Sequence, residues 1–406
     1  MRILLSFSAL MLSVVLLQLS SGAIAPLDAL SGLQEGFTTT EVGLLGSAHF
    51  IGFFAGCWWA PRLMGRVGHN RAFAAFAALG AIGALAHPLL ISPVAWSLMR
   101  VMTGLCIAGA YTIVEAWLQA RLTNASRGRV LGAYRFFDLC ASMVAQLMIG
   151  FLEPASYVSY NLLAILCCAC LLPLMLTTAP PPVIPATPRL RPMIAVRLSP
   201  LGAAGVIVAG ISGPAFRMVG PVYGQEMGLG ADQIGLFLAA AVLGGALAQF
   251  PVGWLADKFD RRVMLIGMSI AACIVCIALS NYSGTSAPLI FGGSFAFGLT
   301  SFPVFSISAA HASDFAEPEE MVELSAALMF LYGTGAIVSP IVASGLIDLF
   351  GPPAMFLLIT AGHAALIAFG LVRMQSRSAK KRTAYRYTPR TSFTIGQILR
   401  RKPAGK

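Results

Sequence analysis

Residues Gly253–Arg262 read GWLADKFDRR. Upstream lies an apolar run, IGLFLAAAVLGGALAQFPV (Ile234–Val252), and downstream another, VMLIGMSIAACIVCIAL (Val263–Leu279). Each is close to the ~20 residues that a membrane-spanning helix needs. The stretch between them holds two acids and three bases, and a connection this short makes the flanking helices antiparallel neighbours. Gly253 is expected to let helices approach closely, an Asp to face helix N-terminal amides, and the Lys and Arg side chains to lie at the water interface.

An echo of this region lies 192 positions earlier. Gly36-Phe-Thr-Thr-Thr-Glu-Val-Gly43 aligns without a gap on Gly228-Leu-Gly-Ala-Asp-Gln-Ile-Gly235. In the same register Gly52 meets Gly244, Arg66 meets Lys258 and Asn70 meets Arg262, while Pro61 stands for Gly253 and Gly65 for Asp257. A match over about 35 residues, covering loop, helix and loop, marks two homologous halves.

Composition sets the solvent. The 406 residues are 57% hydrophobic and 11% charged, whereas a soluble chain carries about 25% charge. An all-α polytopic membrane protein follows. The net charge of +11 is not a nucleic-acid signature, because eleven of the 27 Lys/Arg fall in the tail from Arg373 onward and most of the rest fall between apolar runs. All eight cysteines lie inside apolar runs, where they read as packing residues rather than disulfides or metal ligands.

Apolar runs predict twelve spans: 3–26, 42–61, 72–92, 94–117, 130–152, 157–178, 200–222, 233–254, 263–281, 287–310, 323–346 and 352–373. Arg2 and Ala23-Ile-Ala25 imitate a signal peptide, but the run between them is too long for one, so it reads as an uncleaved first span ending near Pro26. With Arg2 placed inside, 24 Lys/Arg fall on the inner side, none on the outer side and three within spans. This asymmetry predicts cytoplasmic N- and C-termini in an inner membrane. The domains are then 1–178, a six-helix half; 179–200, a proline-rich cytoplasmic strap; 201–374, the second half; and 375–406, a basic tail on anionic headgroups.

Twelve spans in two halves, with this loop between the second and third span of each, resemble the major facilitator superfamily. Gly253, Leu255, Asp257, Lys258, Arg261 and Arg262 are similar to that family's loop motif, with Asp260 in place of a usual Gly. The first copy keeps Arg66, Gly68 and Arg71 but lacks the Asp. Arg100-Val-Met-Thr-Gly104-Leu-Cys-Ile-Ala108 is similar to a second family motif, linked in some members with proton coupling, whereas Gly132–Leu152 lacks the Gly-Pro of drug antiporters. Gly68–Phe73, Glu115–Leu118, Arg127–Leu131 and His311–Asp314 resemble the YcaD-like branch, which implies a bacterial inner-membrane permease.

An ionisable side chain within a span costs about 2.5–3.5 kcal/mol on insertion scales, so each is a functional candidate. Arg100, with Gly104 and Ala108 on its face, is expected to point into a cavity, the alternative being an Arg that snorkels to the outer headgroups. Glu115, Arg135 and Asp138 are expected to meet at similar depth across spans 4 and 5. They form either a proton-exchanging cluster or a permanent tie between helices. Arg217 sits in Gly213-Pro-Ala-Phe-Arg-Met-Val-Gly-Pro221, where Gly and Pro are expected to break the helix, as at carrier binding sites. It reads as an anion-binding residue or as an outer-end snorkeller. Gln18, Gln146 and Gln249 line the cavity or bond neighbouring helices. Asp28, Glu153 and Asp348 read as solvated outer-end carboxylates, and the acidic loop after His311 and Asp314 as a partner for basic loops.

These features predict a secondary transporter working by alternating access, driven by protons. Its solute would be either a small anionic metabolite or an exported amphipathic compound. The alternative is a receptor or scaffold with a transporter-like fold. No Walker-type loop, catalytic triad or metal-ligand spacing stands out, so neither an enzyme nor a cofactor is expected, and the partners are solute, protons and lipid, with the chain a monomer.

Overall fold

Two glycine turns repeat the same geometry in the two halves. Gly36 and Gly228 adopt φ of +86° and +80°, a region that glycine enters without a Cβ clash. The next N–H folds back in each: Phe37 donates to the Gly32 carbonyl at 2.8 Å, and Leu229 donates to that of Gly224 at 3.0 Å. The helix that follows starts on a matching cap. Thr38 and Glu41 form a reciprocal capping box, and the Gln233 side chain accepts from the Gly230 N–H.

The computed structural model describes residues 7–121, 127–176, 191–282, 284, 286–317 and 320–376. In the first half the helices are α1 (Ser8–Gln34), α2 (Thr39–Val67), α3 (His69–Ala86), α4 (Pro93–Arg121), α5 (Arg127–Leu147) and α6 (Tyr157–Met175). In the second they are α7 (Pro200–Glu226), α8 (Ala231–Lys258), α9 (Arg261–Asn281), α10 (Ala287–Ser313), α11 (Met321–Phe350) and α12 (Ala354–Ser376). Most of the strap expected at 179–200 and nearly all of the tail expected at 375–406 lie outside the described residues. The described end of the strap holds a short helix, Met193–Leu198, tied to α11 by Arg191–Glu323 (3.2 Å) and Arg197–Glu320 (3.8 Å).

Eleven of these helices are long and apolar enough to cross a membrane. The other is α5, whose 21 residues would reach about 32 Å but which carries Arg127, Arg129, Arg135 and Asp138. Two expectations fail at prolines. Pro26 does not end the first span, because α1 continues to Gln34, and Pro214 and Pro221 do not break α7, which is helical throughout. Each proline removes one backbone hydrogen bond, and neighbouring helices hold the rest of the ladder in place.

Packing repeats across the halves. α2 lies on α4 as α8 lies on α10, and α3 lies on α6 as α9 lies on α12. The halves meet through α2 on α11, α8 on α5 and α1 on α7. The most buried helices are α1 and α7, each with 72% of its apolar window inside, against 33% for α9 and α12. So α1 and α7 form the centre, and α9 and α12 face lipid.

The seam closes at the end remote from the basic GWLADKFDRR loop. There Gly43 of α2 lies against Ser344 and the Pro340 carbonyl of α11, and a Cβ on Gly235 of α8 would lie 2.7 Å from the Gln146 carbonyl of α5. Gly43 and Gly235 are partners in the repeat, so the same small residue permits both crossings. The Thr40 amide and hydroxyl donate to Asp348 across the seam, the amide at 3.1 Å, which corrects the reading of Asp348 as merely solvated. Nearer mid-span, Phe54 of α2 packs edge-on against Phe330 of α11 at 4.8 Å. Towards the basic end Arg135 of α5 and Gln249 of α8 are exposed.

Candidate functional site

Four of the expected site residues lie together in the first half, with tyrosines that the sequence reading overlooked. On α5, Arg135 Nη1 lies 3.8 Å from Asp138 Oδ2, with Arg135 largely exposed and Asp138 mostly covered. From α4 the Tyr111 hydroxyl reaches Asp138 Oδ1 at 2.6 Å and Gln18 Oε1 of α1 at 2.7 Å. Glu115, one turn beyond Tyr111 on α4, accepts a long contact from the Tyr134 hydroxyl at 3.5 Å and lies within electrostatic reach of Arg135. Glu115, Arg135 and Asp138 thus lie in one cluster, at the similar depth that the helix spacing predicted. Tyr111 was discoverable, since it stands at i−4 from Glu115 on the same helix face.

In the second half, Arg217 of α7 is exposed although Phe216 and Met218 on either side are buried. Among the described residues it has no ion-pair partner. It lies within electrostatic reach of His49 on α2 and Tyr332 on α11. Gln249, also exposed, accepts from Ser306 at 3.3 Å.

Arg100 departs from its expected place. It is 1% exposed and pairs with a carboxylate of the first half. Its Nε lies 3.5 Å from Asp28 Oδ2, His87 Nε2 lies 3.4 Å from the same oxygen, and the Tyr160 hydroxyl donates to Asp28 Oδ1 at 2.9 Å. His87 stacks on Tyr160 at 5.0 Å between centroids, and Trp96 closes the cluster. Asp28, read as solvated, is therefore the buried counter-charge that four helices share. A charge this deep is retained only when paired. The cluster also reaches the second half, where Arg100 Nη2 lies 3.6 Å from the Met218 sulfur. Gln146 is likewise buried, and its Nε2 donates to the Gly22 carbonyl at 3.1 Å.

The basic-end loop is bound within its own half. Arg261 donates to the Ala310 carbonyl (2.7 Å), to Asp314 (2.6 Å) and to Asp257 (3.3 Å). Asp260, which replaces the family's Gly, caps α9 by accepting from the Arg262 N–H at 2.9 Å, and its hydrogen bonds with the Arg262 side chain hold its carboxyl below the usual range. Burial pushes the Asp314 carboxyl up, against the pull of Arg261. Lys258 sits 3.6 Å over the Trp254 ring. Gly253 does not serve close packing here, since a Cβ on it would meet nothing within 4 Å. In the first copy Gly68 turns the chain at φ +84°, while Arg66 and Arg71 are exposed.

Comparison with known proteins agrees with this architecture. The Major Facilitator Superfamily profile matches residues 202–404. An uncharacterized MFS-type transporter of Enterobacter sp. (strain 638) is 26% identical over 377 residues, covering 91% of this chain and 95% of that protein. The uncharacterized MFS-type transporter YcaD of Salmonella typhimurium is 26% identical over 360 residues, covering 87% and 91%. Among solved structures, the nucleoside transporter NupG superposes with a TM-score of 0.77 at 15% identity, over 92% of this chain and all of that one. A D-xylose-proton symporter superposes with a TM-score of 0.71 at 15% identity, over 93% and 99%. At that identity the likeness concerns the fold.

Proposed function

The chain belongs to the Major Facilitator Superfamily, and on that premise we propose that it is a secondary transporter that carries a small anionic solute by alternating access, coupled to protons. The observation that carries the anion is Arg217, exposed on the central helix α7 with no ion-pair partner among the described residues. A guanidinium without a protein carboxylate is a site for a carboxylate or phosphate of the cargo. Aromatic surface from Phe54, Phe330 and Tyr332 would line the apolar part of a solute, which favours an amphipathic anion over a wholly polar one. Asp138, with Arg135 beside it, is the group to exchange the proton.

Orientation follows from charge. With the basic ends of both halves in the cytoplasm, the closed seam at Gly43 and Gly235 faces outward and the cavity opens inward. Tags at residue 190 and after Lys406 should be reached only from the cytoplasmic side. A tag reached only from outside refutes the twelve-span topology.

A thermal-shift screen of purified protein against organic anions, neutral metabolites and amphipathic drugs tests the cargo. Anions should stabilise the wild type, and Arg217→Ala should weaken the best of them roughly 10- to 100-fold, the scale of one charge-assisted hydrogen bond of about 1.5–3 kcal/mol. Arg217→Lys should retain part of the affinity. Stabilisation by neutral compounds alone, unchanged in Arg217→Ala, sinks the anion assignment.

A further inference from the structure

Tyr111 presents a proton-counting problem. Its hydroxyl has one hydrogen, yet it stands 2.7 Å from Gln18 Oε1 and 2.6 Å from Asp138 Oδ1, both acceptors when the carboxyl is ionised. Two arrangements balance the protons. If Asp138 carries a proton, the carboxyl donates to the Tyr111 oxygen and Tyr111 donates to Gln18 Oε1. If Asp138 is ionised, Tyr111 donates to the carboxylate and must accept from Gln18, whose amide then turns to present Nε2. The state of a carboxyl on α5 is thereby written into the orientation of an amide on α1.

The far side of that amide leads to the seam. Gln18 Nε2 and Gln146 Nε2 both border the space beside Gly22, at 3.3 and 3.8 Å from where its Cβ would be. Gln146 Nε2 donates to the Gly22 carbonyl at 3.1 Å, and Gln146 Oε1 is buried with no hydrogen-bond partner. The main-chain carbonyl of Gln146 is the atom against which Gly235 of α8 closes. Turning Gln18 replaces a donor with an acceptor next to a glutamine whose own amide is half satisfied. A buried group in that position must rearrange, because an unmatched polar atom costs about 1–3 kcal/mol.

We infer that Tyr111 and Gln18 are positioning residues that read the protonation state of Asp138 and pass it, through Gly22 and Gln146, to the α5–α8 crossing that seals the outer end. The inference rests on the reading of Asp138 as the proton-exchanging group. The groups that face Asp138 are Tyr111 and Glu115 from α4, Arg135 and Tyr134 on its own helix, and Gln18 through Tyr111 from α1. Oε1 towards Tyr111 is the amide orientation that matches a protonated carboxyl, so the sealed outer end is assigned to the protonated form. Protonation therefore favours the sealed state.

The test uses the full-length protein in lipid nanodiscs, with protons as the only ligand varied, and two readouts. The carboxylic C=O infrared band that is missing in Asp138→Asn reports the proton, and the distance between labels on unnatural residues at Glu153 and Glu226 reports the outer end. In the wild type, lowering the pH should raise the band and increase the sealed population together. Tyr111→Phe and Gln18→Leu should keep the band response and lose the distance response. If the distance still follows pH in both variants, the relay is overturned. Loss of the band response in both also overturns it, since the two residues then act on the carboxyl itself. If the wild type shows no Asp138-dependent band, the coupling assignment falls first and the relay falls with it.

Discussion

Replacing Asp28 by Asn should destabilise the protein by about 3–5 kcal/mol, because it leaves the Arg100 guanidinium buried without its counter-charge. Asp28 and Arg100 are each 1% exposed, and His87 is fully buried on the same carboxylate. No water can reach the cluster to screen the loss, and Tyr160, which donates to Asp28, loses a charged acceptor at the same time. The measurement is thermal unfolding in detergent. Arg100→Met should be costly for the mirrored reason. The double variant Asp28→Asn/Arg100→Met should be more stable than the sum of the singles implies, since neither charge then remains unpaired. Additive losses, or a single-variant loss below about 1 kcal/mol, the level of an exposed pair, would show that the cluster does not act as a unit.

Asp138→Asn should abolish proton-driven accumulation while sparing exchange of solute between the two sides. The amide cannot take up or release a proton, yet it can keep the hydrogen bond with Tyr111 that holds α4 and α5 together. Arg135, one turn away, should behave differently. Its loss removes the charge that competes for the carboxylate and changes the cavity field, so Arg135→Ala should reduce both accumulation and exchange. Proteoliposomes loaded with the solute found in the screen, with and without a pH gradient, give the measurement. Accumulation by Asp138→Asn against a gradient with the pH dependence of the wild type would leave Asp138 as a structural ion-pair member only. If both variants fail to exchange as well, the cavity has lost its solute site and the coupling role has to be sought elsewhere.

Both predictions turn on where charges lie, and the two cases differ in how far the chain alone could place them. For Asp138 helix periodicity was sufficient: three residues separate it from Arg135 on one helix, and a hairpin brings Glu115 to the same depth, so local geometry fixed the neighbours. Arg217 was recognisable as an intramembrane cation, but its proposed cause was wrong, because α7 does not break at its prolines. For Asp28 and Arg100 nothing local helped. They are 72 residues apart, and their other partners come from α3 and α6.

Read without a structure, the chain determined its solvent, its twelve crossings, its two-fold repeat and its membership of a fold family. Those properties follow from hydrophobic content, the spacing of apolar runs and the sidedness of Lys and Arg, all of which act residue by residue or over a single helix. Tertiary structure decided which ionisable groups are consumed in packing and which stay exposed. It buried Arg100 against Asp28, left Arg217 without a carboxylate partner among the described residues, turned Asp348 into a contact across the seam and put a tyrosine between Gln18 and Asp138. Such pairings depend on the rotation and tilt of several helices at once. In a span that is apolar nearly all round, the sequence pattern carries little information about which face meets a neighbour, so that choice rests with close packing of small residues such as Gly43 and Gly235.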